Sequence, residues 1–347
     1  KNINMKIIIK KIIKFLIPSK YLKFIIFKKI EYKIKIDLLK AYVYDLNRYF
    51  DFSDTREGND AIKLLGRIIK AYHVIEKGLT MAETRIGFGK DMMVQLCRDC
   101  EKFIDLYGSE EQQIIHALQV IEEYKKFHLE KKFEFDDYVI NSFEQLNSKI
   151  SNLITPTSQI RITKEEYFQY AESDFKKFCN SRFSVRNFSE EEIPIVDILN
   201  ALDIAKEAPS ACNRQSWRTY IYTNRNDIDE ILKIQGGNRG FGHLANKLII
   251  ITGEVGLFSG SAERNQVFID GGIYAMNLLY SLHYQKIAGC ILNCSVTPAK
   301  DKTLRKLTKI KDSEVFISMV ACGIPPENFS LTISKRYTIE NTNTLIN

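Results

Sequence analysis

Two arginines flank a serine in Arg182-Phe183-Ser184-Val185-Arg186. Guanidinium forks around a hydroxyl suit a compact dianion such as a phosphate, because each fork can give two parallel charge-assisted hydrogen bonds. Some thirty residues on, the chain reads Ala208-Pro209-Ser210-Ala211-Cys212-Asn213-Arg214-Gln215-Ser216-Trp217. A turn of this composition offers backbone N–H groups and the Asn213 amide side chain to the edge of a planar heterocycle. Either stretch alone is what a solvated surface turn also carries. Together they describe a ligand with a phosphate tail and a hydrogen-bonding ring edge.

A third constellation lies upstream, in Tyr72-His73-Val74-Ile75-Glu76-Lys77-Gly78-Leu79, followed by Arg85-Ile86-Gly87-Phe88-Gly89. His73, Glu76 and Lys77 share one helical face by their spacing. A base, an acid and a cation on one face suit a polar substrate, and His73 and Glu76 are the candidate catalytic pair. The competing reading is a surface Glu–Lys pair with His73 capping a buried contact.

Other chemistries lack their signatures. The five histidines, at 73, 116, 128, 243 and 283, show no metal-ligand spacing. Cys97 and Cys100 form a Cys-x-x-Cys inside a helix-like run without a second ligand pair. The glycines at 236, 237 and 240 lack the Lys-Ser/Thr of a phosphate-binding P-loop, and no nucleophile elbow occurs. No metal is expected. Seven scattered cysteines in 347 residues fit a reducing cytoplasm better than a disulfide scaffold.

The elements that must position these residues divide the chain into three. Residues 1–40 hold twelve lysines against Glu31 and Asp37, so this segment outweighs the chain's net +7 and the remainder is slightly acidic. Nucleic-acid binding by the body of the protein is therefore not expected. Lysines at 6, 10, 11 and 14 fall opposite isoleucines and Phe15, a basic amphipathic pattern that suits either peripheral contact with the inner face of an anionic membrane or packing on the protein itself. Residues 41–155 have 3.6-residue apolar spacing over 61–74, 92–106 and 112–128 and form a helical domain. Residues 152–163 read as a linker. From 165 to 347 helices alternate with strands, the latter at 217–223, 247–253, 288–295 and 314–322. A helix is predicted from Ser189, with Ser189 and Glu192 as a capping box.

The paired motifs of the first paragraph resemble those of the nitroreductase family of FMN-dependent oxidoreductases. FMN has both the phosphate and the ring edge. The resemblance spans roughly residues 170–340: Val267–Leu279 is similar to the family's long central helix, Ala288–Cys294 to its N5-facing strand, and Ser334-Lys335-Arg336 to its basic tail. It implies an α+β fold with a mixed, mainly antiparallel sheet flanked by helices, and a homodimer with FMN at the interface. Arg182, Phe183, Ser184, Arg186, Lys335 and Arg336 are implied at the phosphate end, Pro209, Ser210, Asn213 and Gln215 at the ring edge, and the amides of Asn293 and Cys294 near flavin N5. NADH or NADPH is the implied reductant for a small-molecule acceptor; a non-catalytic flavin protein in a biosynthetic assembly is the alternative. The His-x-Ile-Glu-Lys-Gly-Leu segment is similar to one in a subgroup linked to surface-polysaccharide synthesis. Two departures stand out: Ser216 replaces the proline usual before Trp217, and Cys294 stands where glycine is common.

Overall fold

The computed structural model describes residues 19–56, 58, 60–150, 154–156 and 159–346, in two compact units. The amphipathic run over residues 6–17 lies outside the described residues. The smaller unit joins helix α1 (Ser19–Phe52) to the segment Phe258–Asn265. Arg264 grips Asp45 with both arms of its guanidinium, at 2.6 and 2.6 Å. α1 passes through position 40 without a break, so the boundary expected there falls inside a helix. Phe24, Phe27, Tyr32, Tyr49 and Phe52 are among its large exposed apolar side chains. Among the described residues no helix is long and apolar enough to cross a membrane.

The larger unit begins with four helices, α2 (Ala61–Leu79), α3 (Lys90–Tyr107), α4 (Gln112–Glu130) and α5 (Asp137–Asn147). Asp60 caps α2 by accepting the Lys63 N–H at 3.1 Å, and Gly108 ends α3 at a φ of 85°. Their apolar stripes close one core through Leu64, Ile68, Ile75, Met93, Leu96, Ile114, Val120 and Leu146. Cys97 and Cys100 belong to that core, where burial pushes both thiols up. No group of potential metal ligands occurs among the described residues.

The second half is α+β. Strands β2 (Trp217–Tyr222), β3 (Lys247–Glu254), β4 (Ala288–Asn293) and β5 (Glu314–Gly323) form one sheet in the order β2-β3-β5-β4, every pair antiparallel. Period-two alternation sends successive residues to opposite faces. Leu248, Ile250, Met319 and Ala321 enter one core with α9 (Arg225–Gln235) and α11 (Pro298–Thr308). Ile249, Ile251, Val320 and Cys322 enter another with α8 (Ile195–Ala205) and α10 (Gln266–Tyr284). Both faces are covered, which is why β3 reads as an unbroken apolar run.

Two expectations are corrected. The stretch read as a linker contains β1 (Gln159–Thr163), which pairs antiparallel with β6 (Asn328–Thr332). Its alternation of Ile160 and Ile162 with Arg161 and Thr163 is too short to stand out from the polar residues around it, and its partner is remote in sequence. β1 runs directly into α6 (Lys164–Phe168) through a capping box at Thr163 and Glu166, and α7 (Phe175–Ser181) follows. The helix expected from Ser189 starts at Ile195. Pro194 disfavours helical geometry at the residue before it. Ser189 instead donates to Ile324 O at 3.0 Å, and Glu192 pairs with Lys247 at 2.6 Å.

Candidate functional site

The arginine element leaves the end of α7 and runs beside β4, where Val185 N–H donates to Gly289 O at 3.2 Å. Val185 and Phe188 are buried in the core on that side. A buried histidine fixes the start of the run. His283 Nε2 lies 2.8 Å from Ser181 Oγ, whose single proton is given to Phe178 O at 2.9 Å. The imidazole must therefore be the donor, which leaves Nδ1 unprotonated, and that atom has no partner. Burial, then the neighbouring Arg182, pulls the His283 pKa down to about 4, so the ring is neutral near pH 7. Tyr167 completes the support by donating to Phe183 O at 2.9 Å.

Arg186 is only 8 % exposed, yet its Nε has no hydrogen-bond acceptor. Lys77 and Arg182 share the surroundings of Cys290 with Arg186, and Arg239 lies near Lys77. The buried Cys290 thiol on β4 is raised by burial, while Arg186, Lys77 and Arg182 lie close enough to pull it the other way. Lys77, at the end of α2, is held below the usual lysine range by burial and then by Arg186 and Arg239. Arg239 belongs to the glycine turn after α9, whose Gly237 O accepts from Lys77 Nζ at 3.4 Å. Among the described residues no carboxylate pairs with Lys77, Arg182, Arg186 or Arg239. A buried guanidinium whose Nε lacks an acceptor, with other unpaired cations nearby, could hold an anion.

The α2 terminus bears on that conclusion, because the C-terminal end of a helix carries partial negative charge. It opposes an anion by about 0.3–1 kcal/mol. Thr80 and Thr84 hydroxyls cover part of it, donating to Lys77 O at 3.0 Å and Gly78 O at 3.2 Å. A hydrogen bond from a charged donor contributes about 1.5–3 kcal/mol, so the cations prevail.

Glu76, beside Lys77, points elsewhere, since consecutive helical residues diverge by about 100°. It is wholly buried. His116 Nε2 lies 3.2 Å from its Oε1, which also accepts Ser334 N–H at 2.9 Å. Its other oxygen lies 3.4 Å from His73 Nδ1 without a hydrogen bond being formed. Burial pushes the Glu76 pKa up, but His116, His73 and the Ser334 amide outweigh it and hold it down at about 2. His73 remains half exposed. The tail at Ser334 has a φ of 47°, and Gln113 donates to Lys335 O at 3.5 Å. Lys335 and Arg336 are exposed, and Arg336 turns back to Ser334 O at 2.7 Å.

The second motif forms a tight turn before β2. Cys212, Asn213 and Gln215 all have left-handed φ, at 54°, 53° and 47°. Non-glycine residues adopt this region at a cost of order 1 kcal/mol each. The turn is held by Ala211 N–H donating to Asp270 at 3.2 Å and Gln215 N–H to Ser210 Oγ at 2.9 Å. Asp270, buried on α10, is oriented by Gln266 at 2.8 Å. Gln215 Nε2 takes Asn213 Oδ1 at 3.1 Å, so the Asn213 amide offers its N–H₂ outward from an exposed position. Pro209 is exposed, and Trp217 stacks on Tyr274 at 4.8 Å. At the end of β4, Asn293 O accepts from Gln235 at 3.1 Å, and burial pushes the Cys294 thiol up to about 12.

The structure thus places Lys77, which the motifs did not assign to a phosphate, near Arg186, and Arg239 near Lys77. Lys77 was visible as a cation beside His73 and Glu76, but its direction was not. Arg239 carried no signal beyond its glycine neighbours. The turn at 209–215 leads into β2, whereas the arginine element lies along β4, at the opposite edge of the sheet.

Comparison with known proteins bears on one part of the chain. The model of the nitroreductase family matches residues 180–238, which include both the arginine element and the turn. No curated protein matches. Among solved structures, a nitroreductase family protein from Streptococcus pneumoniae TIGR4 is 20% identical, with a TM-score of 0.44 over 50% of this chain and 100% of that one. An FMN-dependent nitroreductase from Clostridium difficile R20291 is 17% identical, with a TM-score of 0.40 over 48% of this chain and 93% of that one.

Proposed function

We propose that the chain is an FMN-dependent oxidoreductase. The carrying observation is Arg186, a buried guanidinium with an orphan Nε inside the segment that matches the nitroreductase family. The residues present fit the cofactor. Arg182 and Arg186, with the Ser184 hydroxyl between them, would hold the phosphate, and the Asn213 amide and the backbone of Pro209–Gln215 would meet the ring edge. Bound there, FMN would supply two-electron transfer from NADH or NADPH to a small-molecule acceptor. The protein's own part is to orient the ring, neutralise the phosphate and keep water from the reacting face.

The placement of the two motifs supports a homodimer. Strand neighbours lie about 4.8 Å apart, so three intervals separate β2 from β4 by roughly 14 Å. A second copy that lends its turn at 209–215 to the first copy's arginines would complete the site without spanning the sheet.

The test is to purify the protein, supply FMN and titrate anaerobically with NADH and NADPH. Retained yellow colour that bleaches near ~450 nm, the usual flavin band, supports the assignment. Arg186→Met is expected to weaken FMN binding by about 10- to 100-fold, the loss of one buried charged donor. Wild-type protein that takes up no FMN overturns the reading.

A further inference from the structure

We propose that Lys77, with Arg239, completes the anion site begun by Arg182 and Arg186, so that one phosphate group is held jointly by the helical half and the sheet half of the larger unit. The identity of that phosphate as the FMN tail rests on the preceding proposal; the joint site does not.

Four observations converge. Lys77 Nζ gives a long contact of 3.4 Å to Gly237 O, and an ammonium has three donors. Arg239 follows in the same turn, and both it and Arg186 are near enough to Lys77 to depress its basicity. Arg186 itself is buried and carries an unanswered Nε. Glu76, the adjacent acid, is already engaged by His116 and the Ser334 amide and does not neutralise Lys77. The geometry of α2 holds Lys77 in place. A Cβ at Gly78 would sit 2.1 Å from the Phe88 ring, so the next residue must be glycine for the helix end to reach this position. Met81, just beyond, lies against Gly240 and sets the glycine turn on the α2 terminus, since a Cβ there would meet its Sδ at 3.1 Å. A phosphate at this point would draw the two halves together, and its loss would leave like charges facing one another.

The experiment compares wild type, Lys77→Met, Lys77→Arg and Arg239→Met in two assays, after circular dichroism has confirmed that each is folded. Flavin fluorescence gives affinities for FMN and for riboflavin, which lacks the phosphate. Thermal melts with inorganic phosphate report anion binding without a flavin. Lys77→Met is expected to weaken FMN about tenfold, leave riboflavin unchanged and abolish most of the phosphate-induced rise in Tm, with Lys77→Arg restoring both. Arg239→Met should act in the same direction. An FMN-to-riboflavin ratio and a phosphate response that survive Lys77→Met overturn the inference while leaving the flavin reading intact. The opposite failure is also distinct: no flavin binding by any variant, with a phosphate response lost in Lys77→Met, sinks the FMN assignment and upholds the joint anion site.

Discussion

Glu76 Oε1 accepts the backbone N–H of Ser334 at 2.9 Å, joining a helix of the first half of the chain to the tail of the second. The carboxylate is fully buried and also touches His116 at 3.2 Å, so it fixes the point at which the tail turns, with Ser334 held at a left-handed φ of 47°. This position suits holding the tail; contact with a substrate would have to go through the half-exposed His73.

Removing that carboxylate should be costly. Glu76→Ala strands a half-buried amide and a buried imidazole, and each polar group left unsatisfied costs about 1–3 kcal/mol. Denaturant melts should show Glu76→Ala losing several times the stability lost by Glu76→Gln, which keeps one acceptor. Equal, small losses would mean the contact carries little.

Acid should act through His283 before it acts through Glu76. The His283 pKa falls from 6.5 unfolded to about 4 folded, so the unfolded chain binds the extra proton between these values. Its contribution is complete above pH 6.5 and lost as pH falls toward 4, at roughly 3 kcal/mol from the 1.36 kcal/mol per pKa unit. Glu76, lowered from 4.5 to about 2, loses its contribution from the lower end of that window downward. His283→Gln retains a donor for Ser181 and should flatten the stability profile between pH 6.5 and 4. An unchanged slope would remove His283 as its source.

Gly78→Ala would place a methyl carbon 2.1 Å from the Phe88 ring. Phe88 packs on Tyr124 and His128, while Tyr124 donates to Phe88 O at 2.6 Å and His128 Nε2 accepts Gly87 N–H at 2.9 Å. The ring has no easy retreat, and overpacking of this kind costs about 1–3 kcal/mol. The second change Phe88→Leu should recover part of the lost Tm. A single substitution without effect would show that the ring moves freely.

The basic N-terminal segment is expected to bind anionic vesicles. α1 carries Lys23, Lys28, Lys29, Lys33 and Lys35 among exposed Phe24, Ile25, Phe27 and Ile30. Flotation with phosphatidylserine vesicles should carry the full chain upward, less so at high salt, and should fail once residues 1–40 are removed. Equal flotation of both proteins would sink the membrane role.

The elements governed by local rules were legible in the residues alone. Apolar periodicity located α2, α3 and α4, and β-branched clusters located β2 to β5, because a helix face or strand alternation repeats within a few residues. The turn at 209–215 was also legible from its Pro, Ser and Asn, but its left-handed φ values were not. Tertiary structure decided the rest. β1 is a strand only because β6 lies beside it, and Ser189 is drawn to Ile324 O rather than to a helix start. Lys77 reaches the Gly237 carbonyl, and Glu76 turns to Ser334, through contacts between residues remote in sequence. Such contacts depend on which surfaces the packed layers bring together, and no local pattern in the chain encodes that.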